Sequence, residues 1–167
     1  MRRRLGVLLL DGLEGRVFDE VIATASEKLG VAVDLLGRVD LKAGFDQSRK
    51  QWRADEVIKR HVESFSSPSR FSVGLMGVDL YVPPLNFVFG LAMRNRRSAV
   101  VSWFRLLNDD DLLATRIAKE IIHETGHLEG LDHCANRSCV MWFSNDLSET
   151  DAKGLDFCDG CARRRPS

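Results

Sequence analysis

The sequence predicts a single α/β domain in which a mixed β-sheet packs against helices, and three observations favour this fold class. The chain has 167 residues, a usual length for one domain. Its composition is 44% hydrophobic and 29% charged, so it can bury a sizeable core without disulfides. Strand-like and helical patterns alternate along its first two thirds. The same composition excludes disordered, collagen-like and low-complexity proteins.

Charge and targeting signals indicate which partners and which cellular compartment to expect. The 24 basic residues balance 24 acidic ones, so the bulk charge indicates neither nucleic acid nor an anionic membrane as a partner. The apolar run at residues 5–10 follows three arginines, as in a signal peptide, but it is shorter than the roughly 7–15 residues of a signal core. No apolar stretch approaches the roughly 20 residues that span a bilayer. We therefore expect a cytoplasmic protein whose thiols stay reduced.

The first half of the chain predicts alternating strands and helices. Residues 5–10 form an apolar run typical of a buried strand. Residues 14–29 have helical periodicity that stops at Gly30, a natural helix C-cap. Residues 31–39 predict a second strand, and residues 48–65 predict a second helix that carries His61 on its surface.

The second half predicts three strands and then the longest helix. The apolar, β-rich segments 71–82, 86–93 and 98–107 are separated by Pro83-Pro84 and by a basic turn. The helix is expected from Asn108 to about Gly130, and its three leading aspartates match the helix dipole better than they match a metal site. A last helix is expected at residues 148–155, followed by a solvated arginine tail at residues 163–165.

The residues with the clearest chemistry lie at the end of the long helix. His123, His127 and His133, three of the four histidines, fall within eleven residues. Histidines four positions apart on a helix are about 40° apart around its axis and about 6 Å apart along it, so both imidazoles reach one ion. The apolar residues of this helix fall on its other side, so the histidines are expected to face a cleft.

A third ligand, a turn and a base complete the pattern. Gly130 can adopt a left-handed conformation that ends the helix and lets His133 swing back. Three protein ligands leave the fourth tetrahedral position open, as catalytic zinc requires. Glu124 lies beside the first ligand, where its carboxylate can act as general base on a zinc-activated water. The full pattern arises by chance in on the order of 1 in 100,000 such sequences.

The pattern of these residues resembles that of the metzincin zinc peptidases and, among them, that of the archaemetzincins. Cys134 directly follows the third histidine, and the order Cys134-x4-Cys139-x-Met141 then leads to Cys158-x-x-Cys161. Residues 79–92 and 99–106 also look like the strands that precede the active-site helix in this family. The segment between Met141 and Cys158 is one residue shorter than the family spacing, which predicts an altered loop with the same ligands. The resemblance covers residues 79–161, whereas upstream only the order of elements agrees.

The resemblance implies a metzincin-like fold, in which a twisted mixed sheet lies over the active-site helix. It implies an upper subdomain at residues 1–130 and a small lower subdomain at residues 131–167. It also implies that His123, His127 and His133 bind catalytic zinc, that Glu124 is the general base and that Met141 occupies the turn beneath the metal.

The four cysteines lie within the last 34 residues. Their paired short spacings in a reduced compartment favour a closed structural zinc site made of Cys134, Cys139, Cys158 and Cys161. Two disulfides, a redox-active pair formed by the last two cysteines, and an iron–sulfur cluster remain alternatives.

We therefore expect a monomeric metallopeptidase with two zinc ions that hydrolyses peptide or protein substrates. The alternative is a zinc-stabilised peptide-binding or scaffold protein with little hydrolysis, against which Glu124 argues because a scaffold gains nothing from a carboxylate over the metal. The group that would stabilise the oxyanion is not evident from the sequence. The single tyrosine, Tyr81, lies far upstream, and no histidine follows His133.

Overall fold

A computed structural model describes residues 4–10, 12–13 and 15–166 of the chain. Within these residues, eight strands form two sheets: β1 (Arg4–Leu9), β2 (Ala32–Arg38), β3 (Phe45–Asp46), β4 (Gln51–Arg53), β5 (Arg70–Met76), β6 (Leu80–Tyr81), β7 (Gly90–Met93) and β8 (Ser98–Ser102). The α-helices are α1 (Gly15–Leu29), α2 (Ala54–Val57), α3 (Leu113–Leu128), α4 (Leu147–Ala152) and α5 (Asp159–Arg164). None of the described helices is both long enough and apolar enough to cross a lipid bilayer.

The larger sheet has the order β2-β1-β5-β8-β7, and the smaller one has the order β3-β4-β6. In the larger sheet β2, β1, β5 and β8 run parallel, whereas the edge strand β7 pairs antiparallel with β8. The predicted mixed α/β sheet is thus confirmed, and β7 is the strand that borders the site described below.

The larger sheet is the middle of three layers. Side chains alternate along a strand, so successive residues of β1 enter opposite layers. Leu5, Val7 and Leu9 belong to the core that includes α1 and α3, whereas Leu8 belongs to the core that includes α2. A strand buried on both faces needs apolar residues at nearly every position, which explains the apolar run at residues 5–10.

The helix predicted at residues 48–65 is correct only in its second part. Helical structure begins at Ala54 and continues through a π-helical turn, Ile58–Val62, whereas the preceding residues form a turn and β4. The carboxylate of Asp46 accepts hydrogen bonds from the backbone N–H groups of Ser48 and Arg49, which closes a turn in place of a helix. His61 is buried in this segment, and its Nε2 lies 3.2 Å from the backbone nitrogen of Ala43, so its expected surface position was wrong.

The long helix begins at Leu113, later than the predicted cap at Asn108. Asp110 explains the delay, because its carboxylate accepts a hydrogen bond from the backbone N–H of Leu112 at 3.0 Å and pairs with Arg116 at 2.8 Å. Asp110 therefore supplies an ion pair to the first turn of α3, and all three aspartates precede the helix rather than lying inside it.

The C-terminal segment contains one helix more than the sequence predicts. The expected helix corresponds to α4, and α5 includes two of the arginines that were interpreted as a solvated tail. Arg165 follows α5, and its Nε lies 2.6 Å from the carboxylate of Glu129, while Nη2 donates to the carbonyl of Leu29 at 2.8 Å. Arg165 therefore fastens the segment after α5 to α1 and to the end of α3.

Candidate metal centres and active site

Helix α3 lies between the core and an open cavity. Its apolar residues Ile117, Ile121 and Leu128 are buried in the core that includes α1 and the larger sheet. Its other side lines a cavity of about 550 Å³ through His123, Glu124 and His127, and the walls of this cavity also include β7. The polar and apolar faces of α3 are thus arranged as its periodicity predicts.

The three histidines converge on one point. One ring nitrogen from each of His123, His127 and His133 can be chosen so that all three lie within 4.8 Å of one another. The Nε2 atoms of His123 and His127 are 3.1 Å apart. Their Nδ1 atoms lie 2.8 Å from the backbone carbonyls of Val140 and Leu131, respectively, to which they donate as N–H groups. This contact leaves the lone pair on Nε2, the usual arrangement of a metal-binding histidine.

The turn at the end of α3 brings His133 back beside the other two histidines. Gly130 has φ of +105°, a backbone conformation that favours glycine. Its N–H donates to the carbonyl of His127 at 3.0 Å, and the N–H of Leu131 donates to the carbonyl of Gly126 at 2.9 Å. These two bonds form a Schellman motif, which satisfies the last carbonyls of the helix while the chain reverses. The ring of His133 is consequently 4.8 Å from the ring of His127.

Burial keeps the histidines in the neutral form that binds metals. It lowers the pKa of His123 well below the usual value and lowers the pKa of His127 and His133 as well. Burial is also the main reason that the pKa of Glu124 lies well above its usual value, and the nearby carboxylate of Glu120 adds to the effect. A carboxyl group with a raised pKa is suited to accept and return a proton near neutral pH.

Two glycines make room for the parts of the site. A Cβ atom built on Gly90 of β7 would lie 2.6 Å from Oε1 of Glu124, so only glycine leaves space for that carboxylate. A Cβ atom on Gly126 would lie 2.4 Å from Sδ of Met141, which is fully buried beneath α3. Neither close approach was predicted from the sequence, because each joins a glycine to a residue that is distant along the chain.

The four cysteines form a second cluster. Their sulfur atoms lie within 4.8 Å of one another, and the four thiols are free. Sγ of Cys134 and Sγ of Cys158 are 3.8 Å apart, far beyond the roughly 2.05 Å of a disulfide bond. Three donors point at the sulfurs: the backbone N–H of Asn136 at Cys134, the backbone N–H of Cys158 at Cys139, and Nη2 of Arg164 at Cys161. Such donors stabilise thiolates, the form in which cysteine binds metals.

The two clusters are joined by a short piece of backbone. Cys134 directly follows His133, and its N–H donates to the carbonyl of Met141 at 2.9 Å. The turn that carries Met141 also supplies the carbonyl of Val140 to His123. The position of the third histidine therefore depends on the same loop that begins the cysteine cluster.

Comparison with known proteins decides the family, since the chain matches peptidase family M54 along residues 49–165. The chain belongs to peptidase family M54. An archaemetzincin from Pyrococcus horikoshii is 39% identical over 150 aligned positions, which cover 82% of this chain and 79% of that protein. The crystal structure of archaemetzincin from Methanopyrus kandleri has a TM-score of 0.86 and 37% identity, and the match covers 97% of this chain and 92% of that one. A zinc-dependent peptidase from Methanocorpusculum labreanum has a TM-score of 0.86 at 29% identity, with 96% of this chain and 98% of that one covered.

The archaemetzincin resemblance and the assignment as a metallopeptidase are thereby confirmed. The match also begins well before residue 79, where the recognisable motifs start, so the upstream residues share more with the family than the order of their elements. The alternative of a non-hydrolytic scaffold is not favoured.

In this M54 chain, α3 is tied to α4 by buried charges that were not predicted. Arg116 is 2% exposed and pairs with Asp151 at 2.7 Å. Nζ of Lys119 donates to two backbone carbonyls of α4, and Nζ of Lys153 lies 3.0 Å from Oε1 of Glu120. The sequence carried one signal for these charged contacts, which is the three- and four-residue spacing of charged residues on a helix whose other side is apolar.

Two cationic side chains, those of Arg94 and Lys153, line the cavity together with the histidines. Nε of Arg94 donates to the carbonyl of His127 at 3.0 Å. The hydroxyl of Tyr81 donates to Asp46 at 2.6 Å, and Tyr81 does not line this cavity. Most of the remaining lining is apolar: Val82, Leu85, Phe87, Val88, Phe89, Leu91, Ala92 and Phe143.

Proposed function

We propose that this metallopeptidase binds catalytic zinc through His123, His127 and His133 and uses Glu124 as its general base. One observation carries this assignment. The Nε2 atoms of His123 and His127 face each other at 3.1 Å while both Nδ1 atoms are committed to backbone carbonyls.

The geometry of this pair fits zinc. Two lone pairs at that distance repel each other unless a cation binds both. Zn–N bonds of about 2.0–2.1 Å with tetrahedral angles place two ligand nitrogens roughly 3.3 Å apart, close to the separation found here. The donor set consists of three imidazoles, which leaves one position of a tetrahedron for water or substrate.

Glu124 supplies the acid–base chemistry of the reaction. When bound, zinc acts as a Lewis acid that makes water a nucleophile near neutral pH. Glu124 accepts a proton from the water while the oxygen of that water attacks the substrate carbonyl carbon. The burial that raises the pKa of Glu124 lets it hold this proton, which it then donates to the nitrogen of the departing amine as the C–N bond breaks. The carboxylate therefore returns to its starting state after each turnover.

For the second cluster we propose a structural zinc ion held by Cys134, Cys139, Cys158 and Cys161. Zn–S bonds of about 2.3 Å with tetrahedral angles place two sulfurs roughly 3.8 Å apart, which agrees with the 3.8 Å between Cys134 and Cys158. Sulfurs that all lie within 4.8 Å of one another suit one ion better than an iron–sulfur cluster, whose several irons would separate them. The chain would then hold two zinc ions, one in the open histidine site and one in the closed cysteine site.

We propose that residues 1–130, with the sheet and α3, form an upper subdomain and that residues 131–167, with the cysteines and Met141, form a lower one. A peptide or protein substrate follows from membership of a peptidase family. A monomer that acts in the cytoplasm stays a prediction.

Substituting the general base tests this function. The variant Glu124→Gln keeps the size of the side chain but removes the basic oxygen. We expect hydrolysis of an unstructured peptide to fall by about 10²–10⁴-fold, the usual contribution of a general base, while zinc content measured by elemental analysis stays at the wild-type level. The matched control is Glu27→Gln, because Glu27 is an exposed glutamate of α1; this variant should keep full activity. Unchanged hydrolysis in Glu124→Gln would assign the base to another residue.

A further inference from the structure

We propose that Gln51 and Arg105 are positioning residues for the apolar wall of the catalytic cavity, and that they act through the loop at residues 82–89. This wall loop joins β6 to β7 and borders the cavity that contains His123 and Glu124. Six of its residues line the cavity: Val82, Leu85, Asn86, Phe87, Val88 and Phe89. The inference rests on the function proposed above, because it assigns what controls substrate binding in the same cavity.

The backbone of the wall loop provides little support of its own. Pro83 and Pro84 have no N–H group to donate. In the part of the chain that the structure describes, residues 82–88 donate two backbone–backbone hydrogen bonds, from Leu85 to Val82 and from Val88 to Leu80. Residues 83–86 are exposed. A segment with few hydrogen bonds and exposed residues opens readily unless side chains from other segments hold it.

Gln51 holds the middle of the wall loop. This residue begins β4 and is 7% exposed. Its Nε2 donates to the carbonyl of Asn86 at 2.9 Å and to Oδ2 of Asp79 at 3.0 Å, and its Oε1 accepts from Nε of Arg49 at 3.0 Å. The opposite amide orientation would turn Oε1 towards two other oxygens, so these partners fix the orientation of the side chain. The carboxamide therefore links the smaller sheet to the loop.

Arg105 holds the next residue of the loop. Its Nε and Nη2 donate to the carboxylate of Asp79 at 2.6 and 2.8 Å. The guanidinium, held in this way, lies 4.3 Å from the centre of the Phe87 ring. Asp79 thus accepts hydrogen bonds from both Gln51 and Arg105 and couples them. Two consecutive residues of the cavity wall, Asn86 and Phe87, are positioned by one network.

The network should affect substrate binding rather than the chemical step. Its hydrogen bonds end on residues 49, 79 and 86, and none of them reaches α3, which carries His123 and Glu124. Without the network, the wall is free to move away from an apolar side chain of the substrate while the reacting groups stay in place. Losing a contact with a part of the substrate that does not react raises KM and leaves kcat unchanged. A purely structural role would instead lower kcat through the fraction of folded enzyme.

The contact is measured with peptides of one glycine–serine framework. Each peptide carries either leucine or alanine at one position, which is varied along the framework, and mass spectrometry of the products locates the cleaved bond. Binding to the zinc-loaded Glu124→Gln chain is measured by calorimetry, and hydrolysis by the wild-type chain gives kcat and KM. We expect leucine to bind about tenfold more tightly than alanine at one position beside the cleaved bond, because it buries more apolar surface against the wall.

Variants of the network test which residues are responsible. Gln51→Met keeps the length of the side chain but removes its hydrogen bonds, and Gln51→Glu keeps its shape but turns an oxygen towards other oxygens. Arg105→Met removes the ion pair from an exposed position. Each variant should raise KM for the leucine peptide by about fivefold, keep kcat within about twofold, and reduce the leucine-to-alanine affinity ratio to about twofold.

The matched control is Gln47→Met, because Gln47 is an exposed glutamine between β3 and β4; this variant should keep the wild-type KM and affinity ratio. For the binding measurements, each change is combined with Glu124→Gln. Thermal melts check that each variant is folded, and Arg105→Met provides the test if Gln51 variants are not.

Three results would overturn the proposal. The first is equal binding of the leucine and alanine peptides to the chain with an intact network. The second is a tenfold affinity ratio that survives in the folded variants, and the third is a fall in kcat with unchanged KM. A leucine preference that the variants lose, in a wild-type chain that hydrolyses no peptide, would support the positioning role and would contradict the proposed function instead.

Discussion

The histidine site and the cysteine site both gather distant side chains around one point, but they are built on different supports. His123 and His127 project from α3, a helix of 16 residues whose apolar side is packed in the main core. The cysteines lie on loops and short elements, and the two helices near them, α4 and α5, have six residues each. We therefore expect the histidine site to add chemistry to a fold that is stable without it, and we expect the cysteine site to hold its own segment together.

The largest expected effect follows from removing a cysteine ligand. Cys158→Ser takes one of four ligands from the closed site, where zinc binding contributes on the order of 10 kcal/mol to folding in small zinc modules. This is comparable with the roughly 5–15 kcal/mol that stabilises a whole domain. We expect this variant to be poorly soluble or to lose its cooperative melting transition, measured by circular dichroism together with zinc content.

The matching change at the other site should have the opposite character. His133→Ala removes one of three ligands while the packing of α3 through Ile117, Ile121 and Leu128 stays intact. We expect a cooperative melt, a weakened catalytic zinc and no measurable hydrolysis. If Cys158→Ser melted like the wild-type chain and His133→Ala unfolded, the structural and catalytic roles would have to be exchanged.

A smaller change tests whether activity at the histidine site depends on the position of Glu124 rather than on the stability of the fold. Gly90→Ala places a methyl group 2.6 Å from the present position of Oε1 of Glu124, so the flexible carboxylate must shift. A misplacement of about 1 Å can cost on the order of 10²-fold in rate, so we expect kcat to fall by about 10–100-fold with little change in Tm. The control is Gly12→Ala, because a Cβ atom on Gly12 meets no other atom within 4 Å. Wild-type kcat in Gly90→Ala would show that Glu124 needs no such space.

The smallest effect concerns the part of the cysteine-bearing segment that is held without metal. Arg165 pairs with Glu129, and its guanidinium lies 4.4 Å from the ring of Phe157. Arg165→Ala should lower the free energy of unfolding by about 1–2 kcal/mol, which lowers Tm by about 2–8 °C. Arg163→Ala, which changes an exposed residue of α5, should leave Tm unchanged. A loss in Arg165→Ala as large as that in Cys158→Ser would mean that side-chain contacts, rather than zinc, hold this segment.

The residues of both clusters could be predicted because their spacing is local information. His123 and His127 are four residues apart, and Gly130 is placed where a helix must end for His133 to return. The apolar run at residues 5–10 likewise specifies a strand that is buried on both faces. In each case the structure follows from periodicity or from a short spacing, both of which are visible in one segment of the chain.

What the sequence did not predict depends on contacts between distant segments. Strand β4 exists because it pairs with β3 and β6, and neither pairing leaves a periodic trace in residues 51–53. The ion pair of Glu120 with Lys153 and the space that Gly90 leaves for Glu124 each join residues that are more than 30 positions apart. The details of the cavity wall therefore became visible only once the chain was folded.

The number and order of the metal ions test the distinction between the two sites most directly. Native mass spectrometry of the wild-type chain under non-chelating conditions should find two zinc ions. During titration with a chelator, the first ion should leave the open histidine site together with peptidase activity while Tm changes little, and loss of the second should coincide with loss of the melting transition. One zinc ion with four alkylatable thiols in the folded protein, or unfolding that accompanies the first ion lost, would contradict a catalytic histidine site and a structural cysteine site.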